Sequence, residues 1–221
     1  DVVIVATDDQ RIYDCVQSFG GEVVMTSPHH TCGTDRVYEA FQYYYDSLDN
    51  TCALEDIVVV NIQGDEPFIQ PEQIHALQSC FEDIDGCIET EIATLVKPFT
   101  EEDTLEDLEN PNSPKVVFDE TSHYAMLFSR SVIPYLRNVE KSQWLKAGKH
   151  YRHIGMYAYR ADVLAKITTL KQSNIELCES LEQMRWLENG YKIKVATCNI
   201  TSIGIDTPED LENAKKLINL I

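Results

Sequence analysis

An α/β fold on a mostly parallel sheet, with a smaller mixed or antiparallel part, follows from three features of this sequence. From Val2 to Phe81, short apolar stretches of strand length alternate with amphipathic helical patterns, as in chains that fold into parallel sheets covered by helices. The β-branched run Ile57-Val58-Val59-Val60 reads as a strand buried on both faces, and the polar cluster Asn61-Ile62-Gln63-Gly64-Asp65-Glu66-Pro67 follows it directly. After Ile92, strand patterns succeed one another without long helices between them, which points to a mixed or antiparallel part of the sheet or a small substrate lobe.

Taken in order, Val2 to Ala6 reads as a buried strand, and Asp9 can cap a helix that carries Ile12, Val16 and Phe19 on one face. Gly20-Gly21 stops that helix, and Glu22 to Thr26 is a second strand. A polar loop from Ser27 to Cys32 leads to Gly33-Thr34-Asp35-Arg36, which opens a helix reaching about Tyr45. An acidic connection, 46–56, precedes the strand 57–61, and a helix from Pro71 presents Ile74, Leu77 and Phe81 at helical spacing. Ile92 to Val96 is a strand, Glu101 to Leu108 a short acidic helix, and Asn110-Pro111-Asn112-Ser113-Pro114 a loop. Val116 to Asp119 and Tyr124 to Phe128 form a hairpin, and His153 to Tyr159 is a further strand. One helix is expected over Glu176 to Asn189, ended by Gly190, with the last strand at Ile193 to Ala196. Thr207-Pro208-Glu209-Asp210 starts a final helix, with Leu211, Ala214, Leu217 and Ile218 inward.

The 221 residues suit one α/β domain, or one domain with a small lobe, and can bury a substantial core. With 37 acidic against 18 basic side chains, the net charge of −19 argues against nucleic acid and against an anionic membrane surface as partners. It permits a divalent cation to bring an anionic substrate in. The seven cysteines form no C-x-x-C pair, so neither a disulfide framework nor a zinc site is implied, and a reducing cytosol is the simple reading. No apolar run approaches the ~20 residues that span a bilayer, and no signal peptide is expected. The chain opens without Met inside a strand-like run, and we expect an amino-terminal strand and ligand loop to precede it.

Ligands of open α/β sheets sit outside the carboxyl ends of the strands, where the cluster at 61–67 falls. Gly64 allows close backbone approach, and Asp65 stands beside the amide of Gln63 with no basic partner in the next few residues. That pattern suits a metal-bound phosphate, although an ordinary strand-to-helix turn has the same composition. Asp206 precedes the Thr207 cap in a second strand-end loop, so Asp65 and Asp206 could share one Mg²⁺, which takes carboxylates, waters and phosphate oxygens. A surface Asp complementing the helix dipole is the plainer account of Asp206. Gly33 and Thr34 lie at a helix amino terminus, able to offer N–H groups to an anion or to base edges, or simply to belong to a capped helix start. Arg130 ends a strand and suits a carboxylate. His153, Gly155 and Tyr157 share one strand face, a polar surface with a gap that suits a hydroxyl-rich ligand. By themselves Glu182 and Gln183 read as part of an ordinary amphipathic helix, and His29-His30 as loop. Ser-His-Asp, Walker A and G-x-G-x-x-G patterns are absent.

In order and in register, several stretches resemble the 3-deoxy-manno-octulosonate (Kdo) cytidylyltransferases. They are Val5-Ala6-Thr7-Asp8-Asp9, Gly33-Thr34-Asp35-Arg36, Val60-Asn61-Ile62-Gln63-Gly64-Asp65-Glu66-Pro67, Phe128-Ser129-Arg130, His153-Ile154-Gly155-Met156-Tyr157, Leu181-Glu182-Gln183 and Asp206-Thr207-Pro208-Glu209-Asp210. The resemblance implies a three-layer α/β fold of the nucleotide-diphosphosugar transferase type. It has a mixed, mostly parallel sheet and a small dimerisation and substrate lobe. One domain over 1–221 is expected, with roughly 113–160 supplying the lobe and the sugar-binding strands.

The implied reaction is CTP + Kdo → CMP-Kdo + pyrophosphate, feeding lipopolysaccharide assembly, with Mg²⁺ as cofactor, a homodimer as the assembly and the cytoplasm as the location. By resemblance, Asp65 and Asp206 hold the metal, Gln63 faces the ribose, and Gly33 and Thr34 face the cytosine. Arg130, His153, Tyr157, Glu182 and Gln183 hold Kdo. The family also carries a basic triphosphate loop in its amino-terminal segment, which is not in this sequence. A chain lacking it is expected to bind CTP poorly and to fold poorly alone. The competing readings are a cytidylyltransferase for another sugar acid such as sialic acid, and a catalytically inactive nucleotide-binding fragment.

Overall fold

The structure is a computed structural model, and it describes residues 2–48, 52–82, 89–200, 204–205 and 207–218. The elements form two compact units.

The first unit comprises residues 1–61 and 159–170. Strand β1 (Ile4–Thr7) pairs in parallel with β2 (Glu22–Met25), in register from Ile4 opposite Glu22 to Thr7 opposite Met25. Helix α1 (Gln10–Ser18) joins them, and its start is capped by Asp9, which accepts from the Arg11 N–H at 2.8 Å. Gly20 follows with φ of +77°, the left-handed conformation that ends a helix at little cost only for glycine. Helix α2 (Gly33–Ser47) buries Thr34, Ala40 and Phe41. Strand β3 (Val58–Asn61) pairs with strand β7 (Tyr151–Arg160), whose last two residues belong to this unit. The Ala161 N–H then donates to the Ile57 carbonyl at 2.8 Å, and α6 (Ala161–Ile167) buries Val163, Leu164 and Ile167.

Two expectations are corrected here. Of the apolar set on α1 only Val16 is buried, while Ile12 and Phe19 are exposed. β1 and β3 are half-buried rather than buried on both faces, because among the described residues β1 pairs with β2 alone and β3 with β7 alone. Each therefore has an edge that no strand among the described residues covers.

The second unit comprises residues 62–158 and 171–221. Its strands run in the order β6-β5-β7-β4-β8, with β4 (Ile92–Pro98) parallel to β8 (Ile193–Thr197). β5 (Lys115–Phe118) and β6 (Ala125–Ser129) form the expected antiparallel hairpin, and β5 is also antiparallel to β7. The sheet is thus mixed, and its centre is the dry part of the molecule: Ile92, Ala93, Leu95, Val96, Met156 and Ile193 are fully buried. Helix α3 (Pro71–Ser79) starts with a reciprocal cap in which Gln70 and Gln73 satisfy each other's backbone, and it buries Leu77. Helix α4 (Leu105–Glu109) has a Thr104/Asp107 capping box, and with α5 (Trp144–Ala147) it packs a satellite cluster of Phe99, Leu108 and Trp144.

The single helix expected over 176–189 is two helices, α7 (Asn174–Glu179) and α8 (Gln183–Glu188). Ser180 breaks them by adopting φ 50° and ψ 48°, a left-handed conformation that is uncommon for residues other than glycine. The last helix, α9 (Pro208–Ile218), is capped as expected by Thr207 and Asp210, and it buries Ala214 but leaves Leu211 exposed. The Leu217 and Ile218 side chains lie outside the described set.

Candidate functional site

β6 ends at Ser129, so the chain leaves the sheet at Arg130. Helix α7 meets that exit with its last residue. The Glu179 carboxylate accepts from the Ser129 hydroxyl at 2.7 Å and from the Arg130 N–H at 2.9 Å. The guanidinium of Arg130 is then spread over three backbone carbonyls: Nε to Glu179 at 2.5 Å, Nη1 to Pro111 at 2.8 Å and Nη2 to Ser180 at 3.2 Å. Those bonds occupy three of the five N–H donors of a guanidinium and fix its plane, leaving one donor on each terminal nitrogen. Ser180 explains why the helix breaks where it does. Its turn releases carbonyls that a continuous helix would have consumed, and Arg130 takes two of them.

A second cation holds the other side of this arrangement. Lys115 is fully buried, and its Nζ donates to the carbonyls of Asn110 and Ser113, both at 2.9 Å. Burial pushes its pKa down, and the charge of nearby Arg130 does so further. The loop 110–113 is therefore clamped by Lys115 while its Pro111 carbonyl receives Arg130.

Strand β7 places His153, Gly155 and Tyr157 on one face, as the period-two pattern predicts. His153 lies edge-on to Phe128 at 5.1 Å and against Tyr157 at 5.3 Å, and Tyr157 packs edge-on against Trp186 of α8 at 5.2 Å. The space above Gly155 is open, with no atom within 4 Å of where a Cβ would stand. Burial lowers the His153 pKa to about 4, so its imidazole is neutral near pH 7. Gln183 is buried, and its Nε2 has no hydrogen-bond partner among the described residues. Glu182 accepts from Arg185 at 2.6 Å, and Arg185 also faces Glu176 at 3.5 Å. His153 and Tyr157 thus touch each other, and Arg130 holds the Ser180 carbonyl at the start of the turn that leads into Glu182 and Gln183.

Asp65 is exposed in the turn after β3, where the Glu66 N–H donates to the Gln63 carbonyl at 3.1 Å. The Asp65 carbonyl accepts from the Ile205 N–H at 2.7 Å, so the two strand-end loops singled out in the sequence do touch. Asp206 itself lies outside the described residues. Glu66 Oε2 is buried beside this turn without a hydrogen-bond partner among the described residues. Carboxylate oxygens are the donor type Mg²⁺ takes, but among the described residues no three His, Cys, Asp or Glu side chains gather into a metal site.

In the first unit, Cys32 takes the N-cap position of α2 and makes no side-chain capping hydrogen bond. Gly33 opens the helix and Thr34 is buried. Arg36 ties the ends of β1 and β2 together, donating to Asp8 at 2.9 Å and to Thr26 at 2.6 Å. Glu39 holds the loop between β2 and α2 by accepting from the Ser27 N–H at 2.9 Å and pairing with His30.

The supports missed in the sequence are Glu179, Lys115 and Arg185. Lys115 stands one residue before the strand pattern at 116–119, and the structure extends β5 to include it.

Residues 1–193 match the cytidylyltransferase family model. This chain belongs to the cytidylyltransferase family. A 3-deoxy-manno-octulosonate cytidylyltransferase from Phocaeicola vulgatus is 57% identical over 218 residues, 99% of this chain and 81% of that protein. The enzyme of the same name from Bacteroides thetaiotaomicron is 55% identical, over 99% of this chain and 82% of its own length. A solved structure of CMP:2-keto-3-deoxy-manno-octonic acid synthetase complexed with CTP matches with a TM-score of 0.82 and 34% identity, over 100% of this chain and 81% of that one. An inositol-1-phosphate CTP transferase from T. maritima matches at a TM-score of 0.53 and 19% identity, over 99% and 75% of the two chains, which shows a shared fold only. The nucleotidyltransferase fold expected from the sequence is therefore that of this cytidylyltransferase.

Proposed function

We propose that this cytidylyltransferase activates Kdo with CTP, giving CMP-Kdo and pyrophosphate. The observation that carries this reading is the packing of His153 against Tyr157 on one strand face, with Arg130 held on the Ser180 carbonyl at the turn that leads into Glu182 and Gln183. It stands beside 57% identity to a protein named for this activity.

The sugar's anomeric hydroxyl attacks the α-phosphorus in line, and the bond to pyrophosphate breaks. Such a reaction is accelerated mainly by positioning and by charge stabilisation. Arg130 offers the sugar carboxylate its two uncommitted donors, in a plane already set by the carbonyls of Pro111, Glu179 and Ser180. His153 is neutral and Tyr157 brings a hydroxyl, so this face binds sugar hydroxyls by hydrogen bonds rather than by charge. The amide of Gln183, whose Nε2 has no partner among the described residues, and the carboxylate of Glu182 extend that recognition. Gly33 and Thr34 face the cytosine, and Gln63 the ribose. Asp65 and Asp206 would hold Mg²⁺, which when bound would neutralise charge developing on the phosphates.

The enzyme works as a homodimer in the cytoplasm, in lipopolysaccharide assembly. Strand β6 lies at the edge of its sheet with Met126 exposed, which supports self-association there. No helix among the described residues is long and apolar enough to cross a membrane.

Pyrophosphate release from CTP and Kdo with Mg²⁺, measured in the full-length protein beside Asp65→Asn and Asp206→Asn, tests the assignment. Turnover with Kdo that both substitutions abolish supports it. A folded enzyme that turns over N-acetylneuraminate instead of Kdo overturns the substrate.

A further inference from the structure

Thr94, fully buried on β4, has one hydroxyl with three polar neighbours. Its Oγ1 lies 2.8 Å from the Met156 carbonyl, 3.4 Å from the Ile154 carbonyl and 2.9 Å from His153 Nε2. A hydroxyl has one hydrogen to give, and a carbonyl oxygen can only accept. If the hydrogen pointed at the imidazole, the Thr94 and Met156 oxygens would face each other at 2.8 Å with no proton between them. The hydrogen therefore goes to the carbonyls of β7, and Oγ1 must accept from His153 Nε2–H.

We infer that Thr94 is a positioning residue that locks His153 in the Nε2–H tautomer, presenting Nδ1 as a hydrogen-bond acceptor for a hydroxyl of the sugar acid. The inference rests on the assignment of His153 to the sugar. The ring is also fixed in orientation, edge-on to Phe128 and against Tyr157, so the acceptor has one direction. Burial keeps the imidazole unprotonated near neutral pH, so Nδ1 carries a lone pair rather than a proton. A sugar hydroxyl donating there is read as a donor, and an analogue without that hydroxyl leaves the acceptor unpaired.

The test uses the full-length protein, with histidine nitrogen NMR and steady-state kinetics on wild type, Thr94→Val, Thr94→Ser and His153→Gln. In wild type, His153 Nε2 is expected to carry the proton and Nδ1 none. Thr94→Val is expected to mix the tautomers and to raise KM for Kdo about five- to tenfold, the value of one hydrogen bond. KM for CTP is expected to stay within twofold, and Thr94→Ser, which restores the hydroxyl, to return both the tautomer and KM. A wild-type His153 protonated on Nδ1 overturns the inference without need of any variant. An unchanged KM for Kdo in Thr94→Val also overturns it, and His153→Gln says why. If that variant too leaves KM unchanged, the assignment of His153 to the sugar has failed. If it raises KM, only the link through Thr94 has.

Discussion

Removing the Glu179 carboxylate is expected to weaken both the fold and the recognition of the sugar acid. Its two oxygens take the Ser129 hydroxyl at 2.7 Å and the Arg130 N–H at 2.9 Å, and Ser129 is buried. Hydrogen bonds to a charged acceptor each contribute roughly 1.5–3 kcal/mol. Glu179 is half-buried, so the lower figure applies to both, and Glu179→Ala should cost about 3 kcal/mol of unfolding free energy. Glu179→Gln keeps one acceptor oxygen and should lose about half as much, roughly 1.5 kcal/mol. The function should suffer separately. Without the carboxylate, the β6 exit is no longer tied to α7, and Arg130 loses the alignment that lets Nε and Nη2 reach the carbonyls of Glu179 and Ser180. KM for Kdo should rise at least tenfold in Glu179→Ala while KM for CTP stays near wild type. Urea denaturation gives the first quantity and pyrophosphate release the second, both in the full-length protein. A stability change below about 0.5 kcal/mol together with an unaltered KM for Kdo would refute the reasoning, because a surface substitution produces no more than that.

The lowered pKa of His153 makes stability depend on pH. Its folded value is about 4 against an ordinary 6.5, so the unfolded chain takes the proton first, and stability falls as pH drops from about 6.5 toward 4 and then levels. Between pH 7 and pH 5 wild type should lose about 2 kcal/mol more than His153→Gln, read by denaturant titration at both values. An equal loss in both proteins would assign the acid sensitivity elsewhere. Trp186→Ala should cost about 3–5 kcal/mol, because Trp186 is 1% exposed and supports Tyr157 edge-on at 5.2 Å; calorimetry would read this as a large drop in melting temperature. Thr104→Ala, which removes the hydroxyl's half of the capping box at the start of α4 and leaves the Thr104 N–H on Asp107, should cost about 1 kcal/mol and leave KM for both substrates unchanged. A shift in KM for Kdo there would mean that the α4 start communicates with Arg130.

Local rules account for what was legible in the sequence. Asp9 and Thr207 act as caps because a side-chain oxygen reaches an N–H two or three residues on, whatever else the chain does. The strand patterns at 92–96, 116–119 and 193–196 were visible because alternation and β-branching act within a few residues. Asp65 stood out for a local reason too, as a carboxylate in the polar cluster after an apolar strand, a composition that an ordinary strand-to-helix turn shares. The shared face of His153 and Tyr157 follows from the period of a strand alone.

Tertiary structure decided the rest. A helical pattern across 176–189 carries no Gly or Pro, so nothing local announces the break at Ser180; the conformation there coincides with Arg130, fifty residues earlier, taking the released carbonyls. The partial exposure of β1 and β3 depended on which strands lie beside them, and pairing partners are not encoded in a strand's own composition. Thr94 looked like one more β-branched residue in a buried strand, and its hydroxyl acquired a task only when β7 brought His153 and the Met156 carbonyl to it. Sequence by itself determined which groups could do chemistry, since that is a property of each side chain and its nearest neighbours. Which of them are aimed, desolvated and fixed was decided by contacts between residues about fifty to sixty positions apart, such as Glu179 with Arg130 and Thr94 with His153.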